Sequence, residues 1–151
     1  MNLQTVQSFY KSLNKKVIES GIVDTGISYV NGQSVMEVAK QHEFGNGKVP
    51  MRSFLALPIL LHEDELRAHI KKAINYAVKI NDADIVHDAV GLEMMYLQQN
   101  AFPTEGYGYW QKLSMKSLKA KGAGKTLALT DTGALKGAIS YVNSSGASSK
   151  G

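Results

Sequence analysis

The hydrophobic pattern of the first third of the chain predicts a helix and then a hairpin. Apolar side chains recur at helical spacing over residues 3–20, at Leu3, Val6, Phe9, Leu13 and Val17. Two short β-type runs over residues 26–39 then flank the pair Asn31-Gly32, which is typical of tight hairpin turns. A glycine-rich loop, residues 44–50, is expected to follow.

The middle of the chain has the clearest helical periodicity. One apolar stripe predicts a helix after Pro58, with Leu66, Ile70, Ile74 and Val78 on its buried face. A second stripe predicts another helix, capped by Asn81 or Asp82, with Ile85, Ala89, Leu92 and Tyr96 on its buried face. Two central amphipathic helices are therefore expected.

The last third predicts shorter elements. Residues 102–109 are expected to form an exposed loop, residues 110–121 a short helix, and Asp131, Thr132 and Gly133 a structural turn. A helical turn and a strand over residues 139–143 follow. This strand repeats the sequence of residues 27–31, so the two segments are expected to be neighbours in one sheet. The predicted fold is α+β: an N-terminal helix, a small antiparallel sheet with a hairpin, two central helices and a C-terminal strand. Residues 1–143 are expected to form one domain, and residues 144–151 a flexible Ser/Gly-rich tail.

Composition and charge narrow the possible functions. The 151 residues contain no cysteine, which excludes disulfides, thiolate metal sites and a cysteine nucleophile. The longest apolar run, residues 54–61, is too short to cross a bilayer, and no signal peptide is expected. The net charge of +4 is concentrated in the last third. There Lys112, Lys116 and Lys119 would share one face of a helix, either as a solvated face or as a stripe that contacts phosphate groups.

The apparent catalytic motifs lack their required context. Asp-Thr-Gly occurs at residues 24–26 and 131–133, as in aspartic proteases, but the supporting apolar-apolar-Gly segment is missing. Residues 122–126 imitate part of a phosphate-binding loop without its first glycine. His42-Glu43 lacks the second histidine of a zinc-protease helix. No catalytic residue, metal site or cofactor is therefore predicted.

Three segments, taken in order, resemble one family. They are His42-Glu43-Phe44-Gly45 with the following residues 49–55, the segment 113–122, and residues 129–135 with the closing strand. This set is similar to the virion morphogenesis proteins of tailed bacteriophages, which act as tail-completion or neck components.

The resemblance implies a non-enzymatic virion protein of the head–tail junction, assembled in the host bacterial cytoplasm. It implies a closed homo-oligomeric ring, with six subunits expected, which contacts other phage neck and tail proteins. Phe44, Arg52, Phe54 and Trp110 are the loop or interface candidates. Arg52 can act as a brace inside the chain or across a subunit boundary. The three lysines are candidates for non-specific contact with DNA in the lumen, and no membrane contact is expected.

Two alternatives remain open at this point. The first is a hydrolase of the aspartic-protease type that uses the Asp-Thr-Gly motifs. The second is a small basic nucleic-acid-binding protein, whose DNA affinity would fall steeply with salt.

Overall fold

The computed structural model describes residues 2–22, 26–122, 129 and 133–145. Within these ranges the chain forms seven helices and two strands. In chain order they are α1 (Leu3–Leu13), β1 (Lys16–Ile22), α2 (Val35–Phe44), α3 (Ala56–Leu61), α4 (Glu63–Ile80), α5 (Asp84–Asn100), α6 (Met115–Lys121), α7 (Ala134–Gly137) and β2 (Ile139–Ser145). The predicted α+β class, the N-terminal helix and the C-terminal strand are confirmed. None of the described helices is long and apolar enough to cross a membrane.

The N-terminal helix is shorter than predicted. Asn2 caps α1 by accepting a hydrogen bond from the backbone N–H of Thr5, and the helix ends at Leu13. Residues 16–22 form strand β1, which pairs antiparallel with β2 from Lys16–Ser145 to Ile22–Ile139. The prediction of a helix to residue 20 was wrong because a partner strand about 120 residues away decides the backbone conformation here.

The predicted hairpin is present only as a turn. The backbone N–H of Tyr29 donates to Gln33 O, and one isolated bridge joins Ser28 to Ser34. The run after the turn belongs to α2 instead of a strand. Ser34 and Glu37 form a reciprocal capping box that starts this helix.

The repeated segments are not neighbours in a sheet. Strand β2 pairs with β1 in the two-stranded sheet, and residues 27–31 lie outside it. The expectation based on the repeat was therefore wrong. Strand β2 also includes Ser144 and Ser145, the first two residues assigned to the tail, and residues 146–151 lie outside the described part.

Helix α4 follows its prediction, whereas α5 buries a different face from the one expected. Leu92 and Tyr96 were predicted to be buried but are 50% and 60% exposed. Helix α5 packs against both α4 and the sheet, and its buried apolar residues are Val86, Val90 and Leu97. A helix covered on two sides does not reveal its buried face through a single stripe.

The buried residues form two clusters. One joins α1, α4 and α5 through Phe9, Leu66, Ala73, Ala77, Ala83, Val86 and Val90. The other joins α2, the end of α5, α7 and β2, and contains Phe54, Phe102, Trp110, Leu135 and Ile139. The segment predicted as an exposed loop is therefore partly core, since Phe102 is only 1% exposed. Gly106 permits this packing, because a Cβ there would lie 2.2 Å from the Trp110 ring.

Candidate functional site

The motif His42-Glu43-Phe44-Gly45 is organised around a buried carboxylate. Glu43 is 7% exposed and lies in the last turn of α2. Its Oε1 accepts hydrogen bonds from Ser53 Oγ (2.7 Å) and the Ala56 N–H (3.0 Å). Its Oε2 accepts from the N–H groups of Phe54 (2.9 Å) and Leu55 (3.0 Å). The carboxylate thus satisfies three backbone donors at the start of α3, where a negative charge is favourable.

Glu43 was not among the predicted site residues. The sequence predicted β-type runs over residues 26–39 and the next helix after Pro58, so it gave no signal that Glu43 would contact the backbone of residues 54–56. Only the fold brings the two positions together. Since four donors already surround this carboxylate, its role is to hold the backbone in place.

Arg52 is a brace within the chain. Its guanidinium is buried and donates from Nε (3.2 Å) and Nη2 (3.1 Å) to the carbonyl oxygen of Gln111. Its backbone N–H donates to His42 O at 2.7 Å. Burial lowers the pKa of Arg52, and the charge of Glu105 acts in the opposite direction. Of the two roles considered for Arg52, the structure shows the internal one.

Phe54 and Trp110 belong to the same brace. The Trp110 Nε1–H donates to Ser53 O at 3.0 Å, and the rings of Phe54, Phe102 and Trp110 are in sequential contact, with centroids 5.3 and 5.8 Å apart. The side chains of Phe54 and Trp110 are buried, at 0% and 6% exposure. They therefore fix the loop after α2 to the segment after α5, and neither presents its ring to a partner.

Phe44 is the exposed member of the predicted set. Its side chain is 75% exposed, so it does not anchor the loop to the core. The chain turns immediately afterwards at Gly45, which has φ of 68°. A Cβ at Gly45 would lie 3.1 Å from Met51 N and 3.2 Å from Val49 O, so only glycine fits this turn without a shift of the backbone.

A groove lies between this loop and the segment that precedes α6. Its volume is about 780 Å³, and its described lining residues are 44–52, 111–114 and 117. The lining includes three cations, Lys48, Arg52 and Lys112, and no aspartate or glutamate among those residues. Phe44 and Met51, at 75% and 63% exposure, add apolar surface. The groove is suited to a ligand that combines negative charge with an apolar group.

His42 is a half-buried histidine close to this groove, since its backbone O accepts from the Arg52 N–H. The pKa of His42 is lowered to about 4, mainly by burial and secondarily by the positive charge of Arg52. Its Nδ1 has no hydrogen-bond partner among the described residues. It lines a separate, smaller cavity of about 220 Å³ with Tyr29, Asn31, Gln33, Val38, Leu129 and Leu135. His42 is therefore neutral near pH 7.

The three candidate lysines do not share one helix face. Lys112 lies before α6, because Ser114 is the N-cap and the helix begins at Met115. Lys116 and Lys119 are on the helix, and all three side chains are exposed. Only Lys112 lines the groove.

The remaining predicted features lie largely outside the described residues. This applies to Asp131 and Thr132, and to most of the imitation phosphate-binding loop. Gly133 is described: its φ is 69° and it immediately precedes α7. Within the described ranges, no group of three His, Cys, Asp or Glu side chains is placed to hold a metal ion.

Comparisons of the chain with protein-family models, curated proteins and solved structures found no match.

Proposed function

We propose that this chain is a non-enzymatic structural protein that assembles as a closed ring at the head–tail junction of a tailed bacteriophage. The main support is that polar side chains of the motif are engaged inside the chain, whereas two of its apolar side chains are exposed. The polar groups of Glu43, Ser53 and Arg52 are engaged in holding a loop, and that loop exposes Phe44 and Met51. A loop that is held by these hydrogen bonds and presents apolar side chains is suited to subunit contact.

Exposed apolar side chains on other elements support assembly. Leu92 and Tyr96 on α5 are at least half exposed and lie beside half-buried Ala89 and Met95. They belong to a different element from Phe44 and Met51. A closed ring uses heterologous contacts, for which each subunit must present two different surfaces. The exposed apolar side chains of this chain thus lie on more than one surface.

The lysines after the aromatic segment supply the proposed DNA contact. Lys112, Lys116 and Lys119 are exposed, and no acidic residue interrupts residues 112–122. In a ring around the DNA channel, Lys116 and Lys119 on α6 would face phosphate groups, which bind cations without regard to base sequence. Lys112 lies before the helix and lines the groove. Changing Lys116 and Lys119, which do not line the groove, to glutamine should impair DNA passage or retention and leave rings intact. Unchanged virion infectivity of this double variant would reject the DNA contact.

The proposal is tested by measuring the particle formed by the purified full chain. Light scattering coupled to size-exclusion chromatography should give one closed oligomer, with six subunits expected, and electron microscopy should show a ring. In virions, the protein should be located at the neck. A chain that stays monomeric at high concentration and is missing from virions would contradict the proposed function.

A small nucleic-acid-binding protein is the second candidate, favoured by the same exposed lysines. It predicts that the isolated monomer binds DNA with an affinity that falls steeply as salt increases. The ring proposal instead places strong DNA contact in the assembled particle. Binding measurements on separated monomer and oligomer fractions distinguish the two.

A further inference from the structure

The groove combines positive charge with exposed apolar side chains. Three cationic side chains, Lys48, Arg52 and Lys112, line it, and none of its described lining residues is acidic. Arg52 donates to Gln111 O, whereas Lys48 and Lys112 are exposed to solvent. Phe44 and Met51 leave large apolar areas uncovered beside these charges. A suitable occupant therefore carries carboxylates next to an apolar side chain.

The same chain presents a segment of that description elsewhere. Where α3 meets α4, Leu60 is 69% exposed and Leu61 38% exposed, and three acidic residues follow directly at 63–65. We name residues 60–65 the acidic corner. Glu63 pairs with Arg67, and Asp64 and Glu65 are exposed. None of these residues lines the groove of its own chain.

One brace holds both surfaces in a fixed relation. The Glu43 carboxylate lies at the end of α2, directly before the groove loop, and bonds the N–H groups at the start of α3, the helix that leads to the acidic corner. Arg52 ties the loop to the opposite wall of the groove. When two complementary surfaces have a fixed relation within each subunit, every contact rotates the next subunit by the same angle. A closed ring requires such a constant rotation.

We infer that the acidic corner of one subunit docks in the groove of the next copy of this chain. The inference rests on the proposed ring and names its contact. Leu60 would pack against Phe44 and Met51, while Asp64 and Glu65 would face Lys48 and Lys112. DNA is a poorer occupant, because its phosphates would match the cations and leave the exposed Phe44 and Met51 side chains unmatched.

Charge reversal of exposed residues tests this contact. In the first variant, Lys48→Glu and Lys112→Glu place acids in the groove. In the second, Asp64→Lys and Glu65→Lys place cations on the corner. Each variant alone should assemble with a dissociation constant raised about tenfold or more, because like charges then face each other across the contact. The matched control for the first variant, Lys11→Glu with Lys15→Glu, makes the same charge change on exposed residues outside both surfaces and should assemble like the wild type.

Mixing the two reversed variants provides the specific result. The acidic groove of the first accepts the basic corner of the second, and the unchanged groove of the second accepts the unchanged corner of the first. An equimolar mixture should therefore regain assembly with alternating subunits. A chain that carries all four reversals should also assemble alone. Light scattering measures particle mass, and circular dichroism confirms that each variant is folded.

The outcomes separate this inference from the proposed function. If the wild type forms rings and both reversed variants form them equally well, the groove-to-corner contact is rejected and the ring remains. Failure of the mixture and of the fourfold variant to assemble would also reject the contact. If Lys48→Glu with Lys112→Glu removes DNA binding and leaves assembly unchanged, the groove serves DNA instead. A monomeric wild type would reject both proposals.

Discussion

Replacement of Glu43 by glutamine provides the sharpest test of the brace that shapes the groove. The two side chains have nearly the same size, but glutamine offers one acceptor oxygen and one NH₂ group. Each carboxylate oxygen of Glu43 accepts two hydrogen bonds. Whichever way the amide turns, two of the four hydrogen bonds to the carboxylate are therefore lost. With the NH₂ group turned towards Ser53 and Ala56, the Ser53 hydroxyl can rotate to accept from it, and the Ala56 N–H faces a donor.

The expected cost follows from this count. A hydrogen bond to a charged group contributes about 1.5–3 kcal/mol to stability, and an ordinary one about 1 kcal/mol. The loss of two charged bonds, less the one new bond to Ser53 Oγ, should lower the free energy of unfolding by about 2–5 kcal/mol. Glu43 is only 7% exposed, so water can replace few of the lost contacts. For a chain of this size, the change corresponds to a fall in melting temperature of about 4–20 °C.

The assay can use the protein's own fluorophore. Trp110 is the only tryptophan, is 6% exposed and donates to Ser53 O next to the carboxylate, so urea unfolding is followed by its fluorescence. Glu37→Gln is the matched control, because glutamine also serves in a capping box, and it should change stability by less than about 0.5 kcal/mol.

A Glu43→Gln protein as stable as the Glu37→Gln control would refute the reasoning. If Glu43→Gln does not fold, Ser53→Ala provides the milder measurement. It removes one of the four bonds to Glu43 and the hydroxyl that accepts from the Leu57 N–H, and should cost about 1–3 kcal/mol. No loss of stability in that variant would equally contradict the assigned role.

Two further predictions concern packing and pH. Gly91→Ala should destabilise the protein by about 1–3 kcal/mol in urea unfolding, because the added Cβ would lie 2.2 Å from the Tyr141 ring. Gly137→Ala is the control and should not destabilise the protein, because a Cβ there would meet no heavy atom within 4 Å. The pKa of His42 is lowered to about 4, so the unfolded chain takes up this proton near pH 6.5 before the folded chain does. Stability should therefore fall between pH 6.5 and 4, by about 1–2 kcal/mol more in the wild type than in His42→Gln, after allowance for the partial exposure of the ring. Equal pH dependence of the two proteins would contradict this.

The sequence was informative where local pattern decides the structure. Helix α4 combines a strong apolar period with three acids in its first turn, and its position was predicted correctly. The turn at Asn31-Gly32 was predicted for the same reason, because it depends on neighbouring residues alone. The motif around Glu43 also stood out in the sequence, although its physical role did not.

Long-range contacts decided the rest. Residues 16–22 continue a helical pattern, yet they form a strand because β2 provides a hydrogen-bonding partner far along the chain. The buried face of α5 was misassigned because the helix packs on two sides, and Gly91 lies against the Tyr141 ring of β2. Neither effect leaves a local signal in the sequence.

The groove shows the same division. The chain's own residues determine its ingredients: lysines, an aromatic residue beside glycine, and an arginine near a serine and a phenylalanine. The tertiary structure alone decides that Arg52, Phe54 and Trp110 are buried while Phe44 is exposed. The physical reason is that burial depends on which distant segments meet. Here a carboxylate in α2 and a carbonyl at Gln111 satisfy polar groups that would otherwise need water.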